Sequence, residues 1–273
     1  TVACEVLLES GARAEAAVPA GASTGIDEAR ELRDGGERYG GRGVRRAVAN
    51  AEGELAAAVA GLRASAQSEL DTALRAADGT ENLGRLGANA VLAVSVAAAL
   101  ASAKERGLPL WRAAGERPLI PLPMVNILSG GAHAGAAIDM QDFLAVPLGA
   151  SSFAEAIEWA SRVRAAAAEL VSERGLVSAL VADEGGLGPP LASNRDALEL
   201  LSAAIERAGL EPGSQVGIAI DVAATQLVDA AGGYRLSVED RTLAAAELAE
   251  ELAAWAGDHP IVSIEDPLGE DDW

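Results

Sequence analysis

Apolar and polar residues alternate along residues 2–8, "VACEVLL", and again along "RAEAAVP" at residues 13–19. A period of two predicts strands, and Ser10-Gly11 between them predicts a hairpin turn. From residue 43 the period lengthens. "GVRRAVANAEGELAAAVAGL" and "SELDTALRAADG" space their apolar residues three and four apart, which predicts helices. "GANAVLAVSVAAALASAKERG", residues 87–107, is apolar nearly all round, so it predicts a helix covered on most sides. Its apolar run, residues 90–103, is broken by Ser95 and Ser102. It falls short of the roughly 18 residues that cross a bilayer, so a buried helix is expected and no membrane association.

"ERPLIPLP", residues 116–123, carries three prolines and reads as a linker. The expected boundary divides a first domain, residues 1–117, from a second, residues 118–273. Beyond it the texture changes. "PMVNILSGG" and "DFLAVPLG" are short apolar runs closed by turn residues. "SSFAEAIEWASRVRAAAAELVSERG" predicts an amphipathic helix with Ser151 or Ser152 as N-cap. Strand and helix patterns then alternate: "SALVADEGG", a helix over 194–208, "QVGIAIDVAA", a helix over 242–255, and "PIVSIEDP". Near-continuous apolar strands between helices predict a parallel sheet covered by helices.

Composition narrows the partners. Half of the 273 residues are hydrophobic but only 3% are aromatic, so the core must be built from Ala, Val and Leu. The formal charge of −20 argues against nucleic acid and anionic membranes as partners, since both need basic patches. Cys4 is the only cysteine, so no internal disulfide can form and a reducing, cytoplasmic setting is expected. The first residues show no signal-peptide pattern.

The candidate chemistry lies where three successive strand patterns end in acid: Asp183-Glu184, Asp221 and Glu265-Asp266. Parallel strands would bring these ends to one rim, as in a barrel mouth. Partly desolvated like charges repel, and a proton or a metal ion offsets that. Oxygen-only ligands favour a hard cation, Mg2+ first. One acid after a strand is as readily a helix N-cap. Three in succession, with glycine and proline beside them, favour ligation. "AGASTG", residues 20–25, reads by itself as a flexible loop, and its functional reading is a mobile flap whose hydroxyls and carbonyls can ligate a cation or phosphate; His133 in "SGGAHAG" sits between glycines at a strand end.

Together these stretches resemble the enolases, the glycolytic phosphopyruvate hydratases. The likeness rests on "VPAGASTGIDEARELRDGGERYGGRGVRRAV", "DGTENLGRLGANAVLAVSVAAA", "LPMVNILSGGAHAG", "VADEGGLGPPLASNRDALEL" and "PIVSIEDPLGEDDW". The resemblance implies an α+β capping domain followed by a (β/α) TIM-type barrel with a ββαα start. It implies reversible dehydration of 2-phosphoglycerate to phosphoenolpyruvate with two Mg2+, and a homodimer. Position by position, Glu184 matches the general acid, and Asp221 and Glu265 match two ligands of the first metal. Ser23 matches the flap ligand of the second metal. His133 and Gln141 match substrate-pocket residues, and Asp142 stands in that pocket where the family has Glu. It is one methylene shorter, and a displacement of around 1 Å could cost on the order of a hundredfold in rate.

"AATQL", residues 223–227, also departs from the family's usual Ser-Glu. The last motif matches the fifth strand of the eight-stranded barrel, so the chain reads as an internal fragment with an incomplete barrel. Lys104, the only lysine, falls in the capping domain and cannot serve as the family's base. The chain alone is therefore expected to be inactive and marginally folded. The alternative is an enolase-like paralogue that has lost chemistry and acts as a binding or regulatory protein.

Overall fold

The structure, a computed structural model, describes residues 1–21, 24–115, 119–182 and 184–273. It divides into two compact units, Thr1–Leu119 and Ile120–Trp273.

The first unit opens with the expected hairpin. Strands β1 (Val2–Leu7) and β2 (Arg13–Val18) pair antiparallel, with Val2 opposite Val18 and Leu7 opposite Arg13. Helix α1 (Arg45–Asn50) continues through a π-helical turn, Ala51–Leu55, into α2 (Ala56–Val59). Helices α3 (Gln67–Asp78), α4 (Ala88–Glu105) and α5 (Leu110–Ala114) follow. Gly79 ends α3 in the left-handed conformation, which glycine adopts without a Cβ penalty. Helix α4 is the centre of this unit: Ala90, Ala93, Val94, Ala97, Ala98 and Ala101 are buried. Its length and composition would suit a membrane span, but more than half of it is buried. Val2, Leu55, Leu70, Leu74 and Leu86 pack around it. Alanine permits close approach but buries little area per residue, so this core relies on many small contacts. Two polar side chains fix the segment after the glycine-rich loop. Asp34 accepts from the amides of Arg45 and Arg46, both at 2.9 Å, and so caps α1 from a distance. Those amides hold its carboxyl below the usual range. Asn89 bonds both the amide and the carbonyl of Leu32, at 3.1 and 3.2 Å.

The second unit is built on a four-stranded sheet in the order β3 (Val125–Ser129), β4 (Asp142–Val146), β5 (Gly217–Asp221), β8 (Ile261–Glu265). Helices α6 (Phe153–Glu173) and α7 (Asn194–Arg207) connect β4 to β5. A small hairpin, β6 (Tyr234–Leu236) and β7 (Arg241–Leu243), and helix α8 (Ala245–Asp258) connect β5 to β8. Ser152 is the N-cap of α6, its hydroxyl accepting from the Glu155 amide. Phe143, Ile127, Leu128, Leu198, Leu201 and Ile218 are fully buried between the sheet and its helices.

Three expectations are corrected here. The sheet is mixed: β3 pairs antiparallel with β4, and β4 antiparallel with β5, while β5 and β8 are parallel. Strands β3 and β4 are joined by a loop with no crossover helix, and such a connection can only double back. The described residues of the stretch 178–186 form no regular strand; Val181 and Leu187 make isolated bridges. The helix expected from residue 242 starts at Ala245, because Thr242 lies in β7 opposite Arg235.

Candidate active site

Antiparallel pairing places the start of β4 beside the end of β5. Asp142, first residue of β4, is opposite Asp221, last residue of β5. Parallel pairing then sets Asp221 beside Glu265 at the end of β8. Three carboxylates thus stand in one row across three strands, and the antiparallel strand adds Asp142 to the rim. Period-two patterning alone does not reveal direction, so the sequence showed no reason to group it with the strand-end acids.

The row carries an electrostatic load. Burial and then the Glu265 carboxylate push the Asp221 carboxyl up to about 6, with Asp142 and Asp266 adding to the rise. The Ala223 amide opposes it by donating to Asp221 Oδ1 at 3.0 Å. Gln141 Nε2 donates to Asp221 Oδ2 at 3.1 Å, and Gln226 Nε2 donates to Gln141 Oε1 at 2.8 Å. Among the described residues no arginine, lysine or histidine forms an ion pair with Asp221, Glu265 or Asp266. Both strands leave the rim through left-handed backbone: Ala223 has φ 48° and Asp266 φ 43°. Such conformations cost non-glycine residues about 1–2 kcal/mol each, and strain of this kind collects at functional sites.

A second group adjoins the row. His133 lies on a 3-10 turn, Gly131–Ala134, in the loop between β3 and β4, and its side chain is 6% exposed. Its Nδ1 is 3.1 Å from Asp142 Oδ2 and its Nε2 is 3.9 Å from Glu184 Oε1. The other Asp142 oxygen accepts from Asn126 Nδ2, and from Ser129 Oγ at 2.9 Å. Burial raises the Asp142 carboxyl, against the lowering effect of Ser129, Asn126 and His133. Glu184 is half exposed, and its oxygen lies within 4.8 Å of the His133 and Asp142 ligand atoms, a set able to hold a metal ion.

The structure therefore brings together Glu184, His133, Asp142, Gln141, Asp221 and Glu265, all in the second unit. Ser23 and Asp183 lie outside the described residues. Sequence reasoning missed Asn126, Ser129 and Gln226. Asn126 and Ser129 are three apart, which regular alternation would send to opposite faces. A register shift between Asn126 and Leu128 turns both toward Asp142, and no spacing rule shows a bulge in advance.

Comparison with known proteins decides the family. The enolase N-terminal domain matches residues 1–113, and the enolase C-terminal TIM barrel domain matches residues 117–273. The chain belongs to the enolase family. An enolase from Rubrobacter xylanophilus is 51% identical over 276 residues, an alignment that takes in 100% of this chain and 64% of that protein. The first unit is thus an enolase capping domain, and the second is an incomplete part of an enolase TIM barrel. The four strands of its main sheet stay open among the described residues.

Proposed function

We propose that the protein carrying this chain is a phosphopyruvate hydratase, converting 2-phosphoglycerate reversibly to phosphoenolpyruvate with Mg2+. The observation that supports this most is the row of Asp142, Asp221 and Glu265, in which no basic side chain pairs with Asp221 or Glu265 among the described residues and Asp221 is driven to about 6. Oxygen donors without a positive partner suit a hard cation. Asp221 and Glu265 would hold Mg2+, with Ser23 proposed as a ligand of a second ion. The bound metal supplies positive charge where negative charge develops on the substrate.

The chain's own residues fill the remaining roles. Gln141 orients one Asp221 oxygen while Gln226 fixes the Gln141 carbonyl. Glu184, at the exposed side of the group, donates a proton to the departing hydroxyl. His133 faces Glu184 and is proposed as a substrate-binding residue, and Asp142 holds His133. Residues 120–273 contain no lysine, and Lys104 lies in α4 of the first unit, so no residue of the second unit matches the base lysine that the enolase likeness implies. A homodimer and a place in cytoplasmic glycolysis belong to the same reading; light scattering on the purified protein tests the first.

Phosphoenolpyruvate formation by the full-length protein with Mg2+ tests the reading. Turnover is expected, and Glu184→Gln should lower it by about 10²–10⁴-fold. A folded protein that binds Mg2+ but does not turn over would overturn it. That result would favour the second reading, an enolase-like binding protein, to which the shorter Asp142 side chain points.

A further inference from the structure

We propose that Asn126 and Ser129 are positioning residues of this site. They clamp the Asp142 carboxylate and so hold His133 as its Nδ1–H tautomer, with a bare Nε2 turned toward Glu184. The consequence for acid catalysis rests on the reading of Glu184 given above; the hydrogen-bond argument does not.

Donors and acceptors can be counted through the cluster. Ser129 Oγ accepts from Asn126 Nδ2 at 2.9 Å and gives its single proton to Asp142 Oδ1 at 2.9 Å. Asn126 Nδ2 spends its second proton on the same Asp142 oxygen. Asp142 Oδ1 therefore takes two bonds, and Oδ2 is left to face the imidazole at 3.1 Å. An ionised carboxylate only accepts, so the ring nitrogen before it must carry hydrogen. In a neutral imidazole the other nitrogen is then bare. That atom, Nε2, is 3.9 Å from Glu184 Oε1, within reach of a proton held there after a small approach.

Two further observations show that the clamp is built. Asn126 Oδ1 is buried with no hydrogen-bond partner among the described residues. Leaving a buried carbonyl unpaired is unfavourable, and the orientation persists because turning the amide would set that oxygen against the Asp142 carboxylate. The loop carrying Glu184 also sits directly on the clamp. A Cβ on Gly186 would collide with Ser129 Oγ and lie 2.8 Å from Asn126 Oδ1. Ser129 donates its amide to the Leu187 carbonyl at 2.8 Å, tying the same strand to the same loop. Asn126 and Ser129 thus fix Asp142 through hydrogen bonds and seat the Glu184 loop through packing.

The test is the tautomer of His133, read from its ring 15N shifts in the full-length protein at a pH where the imidazole is neutral. His133→Gln identifies the signal. The unsubstituted protein should show Nδ1–H. Ser129→Ala should admit the Nε2–H form, and the Asn126→Ala, Ser129→Ala double variant should lose the Nδ1–H preference. An Nε2–H ring in the unsubstituted protein would overturn the proposal, whatever the variants do. So would an Nδ1–H ring that persists in a folded double variant. The readout needs no turnover, so an inactive protein with an Nδ1–H ring would fail the functional reading and leave this one standing.

Discussion

Asp221 has a carboxyl pushed from 3.8 to about 6 by burial and by Glu265. Between those values the folded protein keeps a proton that the unfolded chain has released. The stability this contributes is fully present below about 4 and is lost as pH rises through about 6. Urea unfolding of the metal-free protein across that interval should show the fall, and Asp221→Asn should flatten it. An unchanged pH slope in the variant would place the load elsewhere. Ala223, next but one along, holds φ 48°. Ala223→Gly should therefore stabilise the folded state by about 1 kcal/mol, measured by the same unfolding. A loss of stability would mean that the left-handed turn is not under strain. At this scale the sequence was partly legible. The acids at the ends of β5 and β8 announced themselves, because each follows an apolar strand directly. Asn126 and Ser129 did not, because a bulge decides which way they face.

The elements that sequence reading placed well are those with long, regular periods. The β1–β2 hairpin, α4 and α6 each carry a pattern that only one conformation satisfies. The misplaced ones are short and depend on partners. Val181 and Leu187 belong to a stretch whose sequence reads as a strand, yet they make isolated bridges, and Gly186 sits where a Cβ would collide with Ser129 and Asn126. The β6–β7 hairpin is three residues a side, too short for periodicity to register. One buried side chain ties several of these pieces together. Asn194, fully buried at the start of α7, accepts from the amides of Asp139 and Met140 at 3.1 and 2.9 Å. It also donates to Asp139 Oδ2 and Glu239 Oε1 at 3.2 and 2.9 Å. Asp139 in turn accepts from the Ser237 and Val238 amides at 2.7 and 3.1 Å, joining the turn before β7 to the segment before β4. Asn194→Ala should cost about 3 kcal/mol, because it strands buried donors and a carboxylate. A loss below about 1 kcal/mol would show that water or a neighbour replaces the amide.

At the level of the whole molecule, two compact units each carry their own core, and the rim chemistry described above belongs to the second. The fold class was legible because the motifs shared with enolases are long. Strand direction was not, since an apolar run reads the same both ways. The row at the ends of β5 and β8 is proposed as a cation site whose charge repulsion Mg2+ relieves. The deciding measurement is the unfolding free energy of the full-length protein, followed at neutral pH as Mg2+ is added. Stabilisation should reach about 2.7 kcal/mol at a hundred times the dissociation constant. The Asp221→Asn, Glu265→Gln double variant should be at least as stable as the unsubstituted protein without metal and gain less from Mg2+. Equal stabilisation of both proteins by Mg2+ would rule out a cation site at this row.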